Sequence, residues 1–326
     1  MKFRYGWHNF IIELETESVR FVELIEKYTN FHSLEGGLAA DIRLEAYDLD
    51  QGPLAMEPPA DAEFMGIRKV QLESVVDYFS YRRGEEDWRI YQNYGSYYLD
   101  RKHNRMVVER LLAPIEFEYY SILLLVLMPM MELLKKFGYH RFHTACVNVK
   151  GHAILLSGES GSGKSTSTFA LMESGYPVLS DEMPLIRFMN GQYEATVLSD
   201  TVKICEDSRQ RFFQAFTDGM LCECWKDEWY YQLRNIQTWE CEKMESIQHL
   251  FVLKQSGKKK TRIVPLHPAQ AVSSLFPVTI KPGGEEEMEK VFRFVMTFLD
   301  CINCYQVEFG TDMDDFVESL EGVLNN

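Results

Sequence analysis

Short apolar runs separated by turn residues dominate the first 135 positions of the chain. Trp88–Tyr94 and Tyr97–Asp100 alternate as strands of a β-meander do, and Arg105–Glu109 predicts a further strand after a turn at His103-Asn104. Ile11 to Glu26 holds two short apolar segments that the pattern does not assign to helix or strand. Pro53 to Pro59 predicts a loop. Glu116 to Phe137 predicts a helix, kinked at Pro129, whose apolar stripe packs against the sheet that follows.

From His143 the pattern becomes strand, turn, strand, glycine loop, helix, strand. Lys150-Gly151 separates Thr144–Val149 from His152–Ser157, and a two-residue hairpin fits. That register sets Val149 opposite His152 and carries His143 to the level of Gly158. Thr166 to Glu173 predicts a helix stopped at Gly175, and Pro177–Ser180 a short strand. Phe251–Lys254 and Thr261–Val264 flank a basic stretch, Gln255–Lys260, and predict a hairpin with a solvated tip. Helices are expected from Pro268 and over Glu285–Leu299 and Met313–Leu324, with a strand at Tyr305–Phe309. The expected organisation is an α/β domain over 136–326, preceded by a smaller α+β module over 1–135 whose role is not readable.

Between the second strand and its helix lies Gly158-Glu159-Ser160-Gly161-Ser162-Gly163-Lys164-Ser165-Thr166. It fits glycine, four residues, glycine, lysine, serine or threonine, the Walker A pattern of a phosphate-binding loop. Glycines let the backbone wrap an anion with its N–H groups inward, and the helix adds its positive end. Lys164 supplies a charge for the outer phosphates, and Ser165 a hydroxyl for magnesium.

Asp181 and Glu182 end the strand after the loop helix. The short return from Lys164 predicts that they come from the strand beside the loop, at the end where such sheets bind ligands. Adjacent residues on a strand point to opposite faces, so both acids reach one atom only if the chain bends. Asp181 is the candidate for direct chemistry as base, and Glu182 for a metal or supporting role. His143 could orient Asp181 or contact phosphate. Trp225, Trp229, Tyr230 and Tyr231 are candidates for the wall of an acceptor groove, or for core between the modules.

Composition narrows the partners. With 49 acidic and 34 basic side chains the 326-residue chain carries −15, which argues against nonspecific nucleic-acid binding. Seven irregularly spaced cysteines, among them Cys301 and Cys304 at the spacing of half a zinc site, lack a convincing second half and read as reduced thiols of a cytosolic protein. The opening residues do not read as a signal peptide, and the apolar run Tyr119 to Met131 is too short to span a bilayer.

The run from His143 to Glu182 resembles the C-terminal catalytic domain of HPr kinase/phosphorylase. His143, Gly158, Glu159, Ser160, Gly161, Gly163, Lys164, Ser165, Gly175 and Asp181 fall on that family's pattern. Thr166 stands where the bacterial enzymes carry glutamate, and Glu182 where they carry a second aspartate; their downstream signature segment is not found. Thr166 and Leu179-Ser180-Asp181-Glu182 are more similar to the HPr-kinase-like proteins found beside peptide-maturation genes. The resemblance implies a P-loop kinase domain of the HPr kinase/PEP carboxykinase type. It implies ATP and Mg2+ as cofactors, Asp181 as general base, and Lys164 and Ser165 as the phosphate and metal contacts; the residues themselves add Glu182 at the metal and His143 beside the base. It also implies transfer of the γ-phosphate to a serine hydroxyl of a peptide or protein. Two alternatives stay open: an ATP-binding regulator without phosphotransfer, and a kinase of free serine or a sugar. No membrane partner is expected, and a homo-oligomer is left open.

Overall fold

The computed structural model describes residues 1–36, 38–49, 56–71, 75–91, 94–112, 118–212, 221–225, 228–236, 243–244, 246–279 and 285–325. The fold is mixed α/β with several sheets, and the chain divides into two compact units, Met1–Phe137 and Gly138–Asn326. No helix among the described residues is long and apolar enough to cross a membrane.

The first unit is built on one sheet. Its strands are β1 (Lys2–Trp7), β2 (Phe10–Thr16), β3 (His32–Ser33), β4 (Ile42–Leu49), β5 (Glu63–Gln71), β6 (Val75–Arg83), β7 (Glu86–Tyr91), β8 (Gly95–Asp100) and β9 (Arg105–Leu111). They lie in the order β3-β1-β2-β4-β9-β8-β7-β6-β5. β4 runs parallel to both β2 and β9, and the outer pairs are antiparallel. The unassigned segments Ile11–Glu26 resolve into β2 and α1 (Val19–Tyr28). Ser18 caps that helix by accepting from the Phe21 amide, and Phe21, Leu24, Ile25 and Tyr28 are its buried stripe. Beneath it Arg110 makes two hydrogen bonds to Asp48, at 2.7 and 2.8 Å, with both side chains buried. Part of the expected proline-rich loop, including Pro53, lies outside the described residues.

The helical segment closing this unit differs from expectation in two ways. It begins within the described residues at Glu118, as α2 (Glu118–Ile122), passes through a π-helical turn at Leu123–Leu127, and continues as α3 (Met128–Leu134). The Met128 amide bonds to the Leu123 carbonyl, five residues back, immediately before Pro129. A wider turn there accommodates the proline ring, which would otherwise meet the carbonyl four residues back. The segment packs on β8 and β9, the sheet that precedes it.

Among the described residues the second unit contains three sheets. Its strands are β10 (His140–Arg141), β11 (Ala145–Val149), β12 (His152–Ser157), β13 (Val178–Ser180), β14 (Leu185–Met189), β15 (Gln192–Thr196), β16 (Thr201–Cys205), β17 (Leu221–Trp225), β18 (Glu228–Gln232), β19 (Lys243–Met244), β20 (Ile247–Gln255), β21 (Arg262–Pro265) and β22 (Asn303–Phe309). Its helices are α4 (Lys164–Glu173), α5 (Glu206–Phe212), α6 (Leu233–Ile236), α7 (Pro268–Thr279), α8 (Glu285–Asp300) and α9 (Met313–Leu324). The principal sheet has the order β13-β11-β12-β20-β22-β21, beside β10-β14-β15-β19 and β16-β18-β17. Its central strands are apolar on both faces, as strands covered on both sides must be. Val147, Ile154, Leu156 and Phe251 face a core with Phe169 of α4 and Phe316 and Leu320 of α9. Cys146, Leu155 and Leu250 face another with Leu275 of α7 and Val295 and Phe298 of α8.

Strand order corrects two expectations. β20 and β21 do not form a hairpin, because β22 inserts between them. Lys258 and Lys259 stay exposed and face Glu308 and Asp312 at 3.4 and 3.7 Å. The acid-bearing strand β13 is not beside β12 either: β11 lies between, antiparallel to both. Two antiparallel steps leave β13 parallel to β12, so the acids still arrive at the loop end of the sheet.

Candidate active site

The hairpin that leads into the site follows its local code. Lys150 and Gly151 take φ of 53° and 88°, the turn that twists as paired strands do. The Asn148 side chain accepts from the Gly151 amide at 2.9 Å, and Val149 pairs with His152. Continued beyond Ala145 opposite Leu156, that register brings His143 level with Gly158.

The loop from Gly158 to Gly163 joins β12 to α4. Two of its glycines are required by shape. Gly158 has φ +149°, and a Cβ there would lie 2.5 Å from Ser162 Oγ and 2.7 Å from the Leu253 carbonyl oxygen. Gly163 has φ +101° at the head of α4, and a Cβ there would lie 2.8 Å from the Phe309 ring. The Ser162 amide closes a turn onto the Glu159 carbonyl at 3.1 Å. Gln255, at the end of β20, donates to the Gly161 carbonyl at 2.7 Å. Amides in the first turn of α4 have no acceptor within the helix and form a positive rim. Lys164 bends back over the loop and donates to the Gly158 and Glu159 carbonyls at 2.7 and 3.3 Å. Thr166 hydrogen-bonds with Ser208 of α5 at 3.3 Å.

Ser165, the second residue of α4, hydrogen-bonds to the Asp181 carboxylate. Asp181 is 4% exposed, and its Oδ1 has no hydrogen-bond partner. Burial, aided by repulsion from Glu182, pushes its pKa up to about 7, against the opposing pull of Ser165, Lys203 and Lys164. The chain bends where both acids need it to bend. The Ser180 hydroxyl accepts from the amides of Glu182 and Met183, at 3.3 and 3.1 Å. This serine turn breaks the strand alternation. Glu182 Oε1 lies 3.8 Å from His143 Nδ1. Burial lowers the His143 pKa although Glu182 opposes it, and burial also lowers that of Lys164 against the attraction of Glu182 and Asp181.

Thus His143, Lys164, Ser165, Asp181 and Glu182 share one site, while Glu159 and Ser160 contribute backbone to the loop above it. Ser180, Gln255, Phe309 and Lys203 of β16 belong to the same surroundings and escape a reading of motifs. The Ser-Asp-Glu turn was a usable local signal; the other three come from distant strands. The aromatic groove is a correction at Tyr231, which is buried in the core beneath α4 with Trp229 packed against the same core; Tyr230 is buried as well. The side chains of Trp225 and Cys222, and all of Cys241, lie outside the described part. Cys146, Cys205, Cys224, Cys301 and Cys304 form no disulfide, and burial raises the Cys304 pKa to about 11.

Among the described residues no three His, Cys, Asp or Glu side chains cluster to hold a metal. Magnesium asks for less: one or two carboxylates beside waters and substrate phosphates. Ser165 Oγ and the half-exposed Glu182 form an oxygen-only donor pair that fits that ion.

No family model matches the chain, and no curated protein matches it. Among solved structures it is similar to the Hpr(Ser) kinase/phosphatase from Coxiella burnetii, with 13% identity over 57% of this chain and 96% of that one, and a TM-score of 0.32. A superposition of that quality establishes neither membership of a family nor an activity.

Proposed function

We propose that the protein is an ATP-dependent kinase of the HPr-kinase-like type, transferring the γ-phosphate to a serine hydroxyl of a peptide or protein. One observation carries this reading. A nearly buried carboxyl, Asp181, stands beside Ser165 at the head of the glycine-loop helix, with a free oxygen and a pKa near neutrality. A base works best with a pKa near the working pH, and a carboxyl raised to about 7 meets that need.

In this reading the loop amides and Lys164 hold the phosphates, the lysine exchanging the Gly158 and Glu159 carbonyls for phosphate oxygens. Ser165 and Glu182 would hold Mg2+, which when bound neutralises phosphate charge. As the acceptor oxygen bonds to the γ-phosphorus, its proton passes to Asp181 Oδ1. The bond from that phosphorus to the bridging oxygen breaks, and ADP leaves. His143, next to Glu182, orients the acidic pair.

The test is mass spectrometry after incubation with ATP and Mg2+, offering peptides encoded near the gene and, separately, free serine. The expected result is one phosphate on one acceptor, lost in Lys164→Ala with nucleotide binding and in Asp181→Asn without loss of binding. Normal transfer by Asp181→Asn overturns the base assignment. Bound ATP without any phosphorylated product favours the regulator instead.

A further inference from the structure

The face of β14 and β15 that enters the core runs on past it. Ile186 and Ala195 pair across that hairpin and are buried with Val295 and Phe298 of α8. The next pair on the same face is Phe188 and Tyr193. Tyr193 is 5% exposed, with its ring 4.9 Å from that of Phe298 and 5.9 Å from that of Phe294. Phe188 is 54% exposed. Strand alternation therefore sets Phe188 at a core-facing position that α8 does not cover. What remains is a groove of about 590 Å³, walled mostly by carbon and lined by Phe188, Tyr193 and Phe294, with Thr297 and Cys301 on the helix side. Ligand sites are commonly of that size and character.

The groove follows α8 from Glu286 to Cys301, roughly 22 Å at 1.5 Å per residue, a length that six or seven extended residues fill. Its rim carries no net charge. Glu286 pairs with Lys290 at 2.7 Å and Glu289 with Arg293 at 2.6 Å, each along the helix, so the rim selects neither an acidic nor a basic segment. Inside it the Tyr193 hydroxyl hydrogen-bonds to the Cys301 thiol, a weak partner that a peptide carbonyl replaces well. The groove is also joined to the acids. β14 starts at Leu185, just after Glu182, and pairs there with Arg141, just before His143. Phe294 stacks on His140 at 3.9 Å. From Glu182 to Phe188 the chain reaches no more than about 22 Å.

We propose that this groove docks an apolar, preferably aromatic, residue of the acceptor peptide, about six residues along that peptide from the phosphorylated serine. The inference rests on the kinase reading above and gives its acceptor a recognition element away from the reacting hydroxyl. Such a contact is made equally in the ground and transition states, so it acts on KM and leaves kcat alone. Burying one large apolar side chain is worth about 10- to 100-fold in affinity.

The first probe is N-acetyl-phenylalanine amide, with N-acetyl-serine amide as control, observed by saturation-transfer NMR on the full chain without nucleotide. The phenylalanine amide alone is expected to take up saturation. Thr297→Trp abolishes that uptake by filling the groove, and Lys164→Ala keeps it. Phe188→Ser weakens it, and because that ring is half exposed the fold does not depend on it. The second probe is a set of serine peptides with phenylalanine, leucine, lysine or glutamate at varied distances from the serine, offered with ATP and Mg2+. Phenylalanine or leucine about six residues away is expected to lower KM. Thr297→Trp then raises KM for those peptides about 10- to 100-fold, with kcat and MgADP affinity unchanged. Phenylalanine amide uptake that survives Thr297→Trp overturns the groove and leaves the kinase reading intact. So does phosphorylation without an apolar preference, or with KM unmoved in Thr297→Trp and Phe188→Ser. A fall of kcat and MgADP affinity in both variants, the mark of a distorted fold, overturns it as well. Bound ATP with no peptide phosphorylated overturns the kinase reading and this inference together.

Discussion

Replacing Asp181 with asparagine converts the electrostatics of the site into a stability measurement that needs no substrate. The Asp181 carboxyl is 4% exposed, and its pKa rises from 3.8 to about 7 on folding. A carboxyl raised in the folded state favours that state below the unfolded pKa, and the advantage is lost as pH climbs to the folded pKa. Three units at about 1.4 kcal/mol each give a cost of about 4 kcal/mol, complete above pH ~7. Asparagine has the same shape, still accepts from Ser165, and does not ionise. Asp181→Asn should therefore gain stability over the unaltered protein, by about 2 kcal/mol at pH 5 and about 4 kcal/mol at pH 8. For a unit spanning Gly138–Asn326 the larger gain raises Tm by about 8–16 °C. The assay is thermal unfolding by circular dichroism from pH 5 to 8, with a chelator and no nucleotide. A difference that does not grow with pH, or a variant less stable at pH 8, refutes the reasoning.

Further outcomes follow from particular contacts. Gly163→Ala sets a Cβ 2.8 Å from the Phe309 ring at φ +101°, and should cost about 1–3 kcal/mol in denaturant midpoints and abolish MgADP binding by calorimetry. Ser180→Ala removes the acceptor for two amides; about 1 kcal/mol of stability and most phosphotransfer should go, because the two acids no longer share the site. Arg110→Ala leaves Asp48 buried without its charge partner, and should cost about 3–5 kcal/mol in urea unfolding of the first unit with MgADP affinity unchanged.

Where the code is local, the chain could be read directly. The two-residue turn at Lys150-Gly151 sets the pairing of β11 with β12, because a turn of that length leaves one register. The glycine loop is legible for the same reason, since each glycine answers a backbone angle or a close neighbour within one short segment. Apolar periodicity placed α8 and α9, whose stripes needed only a face to bury. The aromatic run at Tyr230-Tyr231 left groove and core both open, because a large apolar side chain looks alike whether it lines a groove or fills a core, and folding buried both rings.

Sequence alone determined the loop, its helix, the hairpin before it and the acids after it, all through neighbours close along the chain. Tertiary structure decided the rest. That β22 lies between β20 and β21, and β11 between β12 and β13, depends on which edges meet once the helices cover both faces. Adjacent strands of similar apolar pattern do not announce their partners. Packing likewise decided that Asp181 lies nearly buried against Ser165. Desolvation and Coulomb interactions depend on distance in space, and the chain brings those groups together only when it folds.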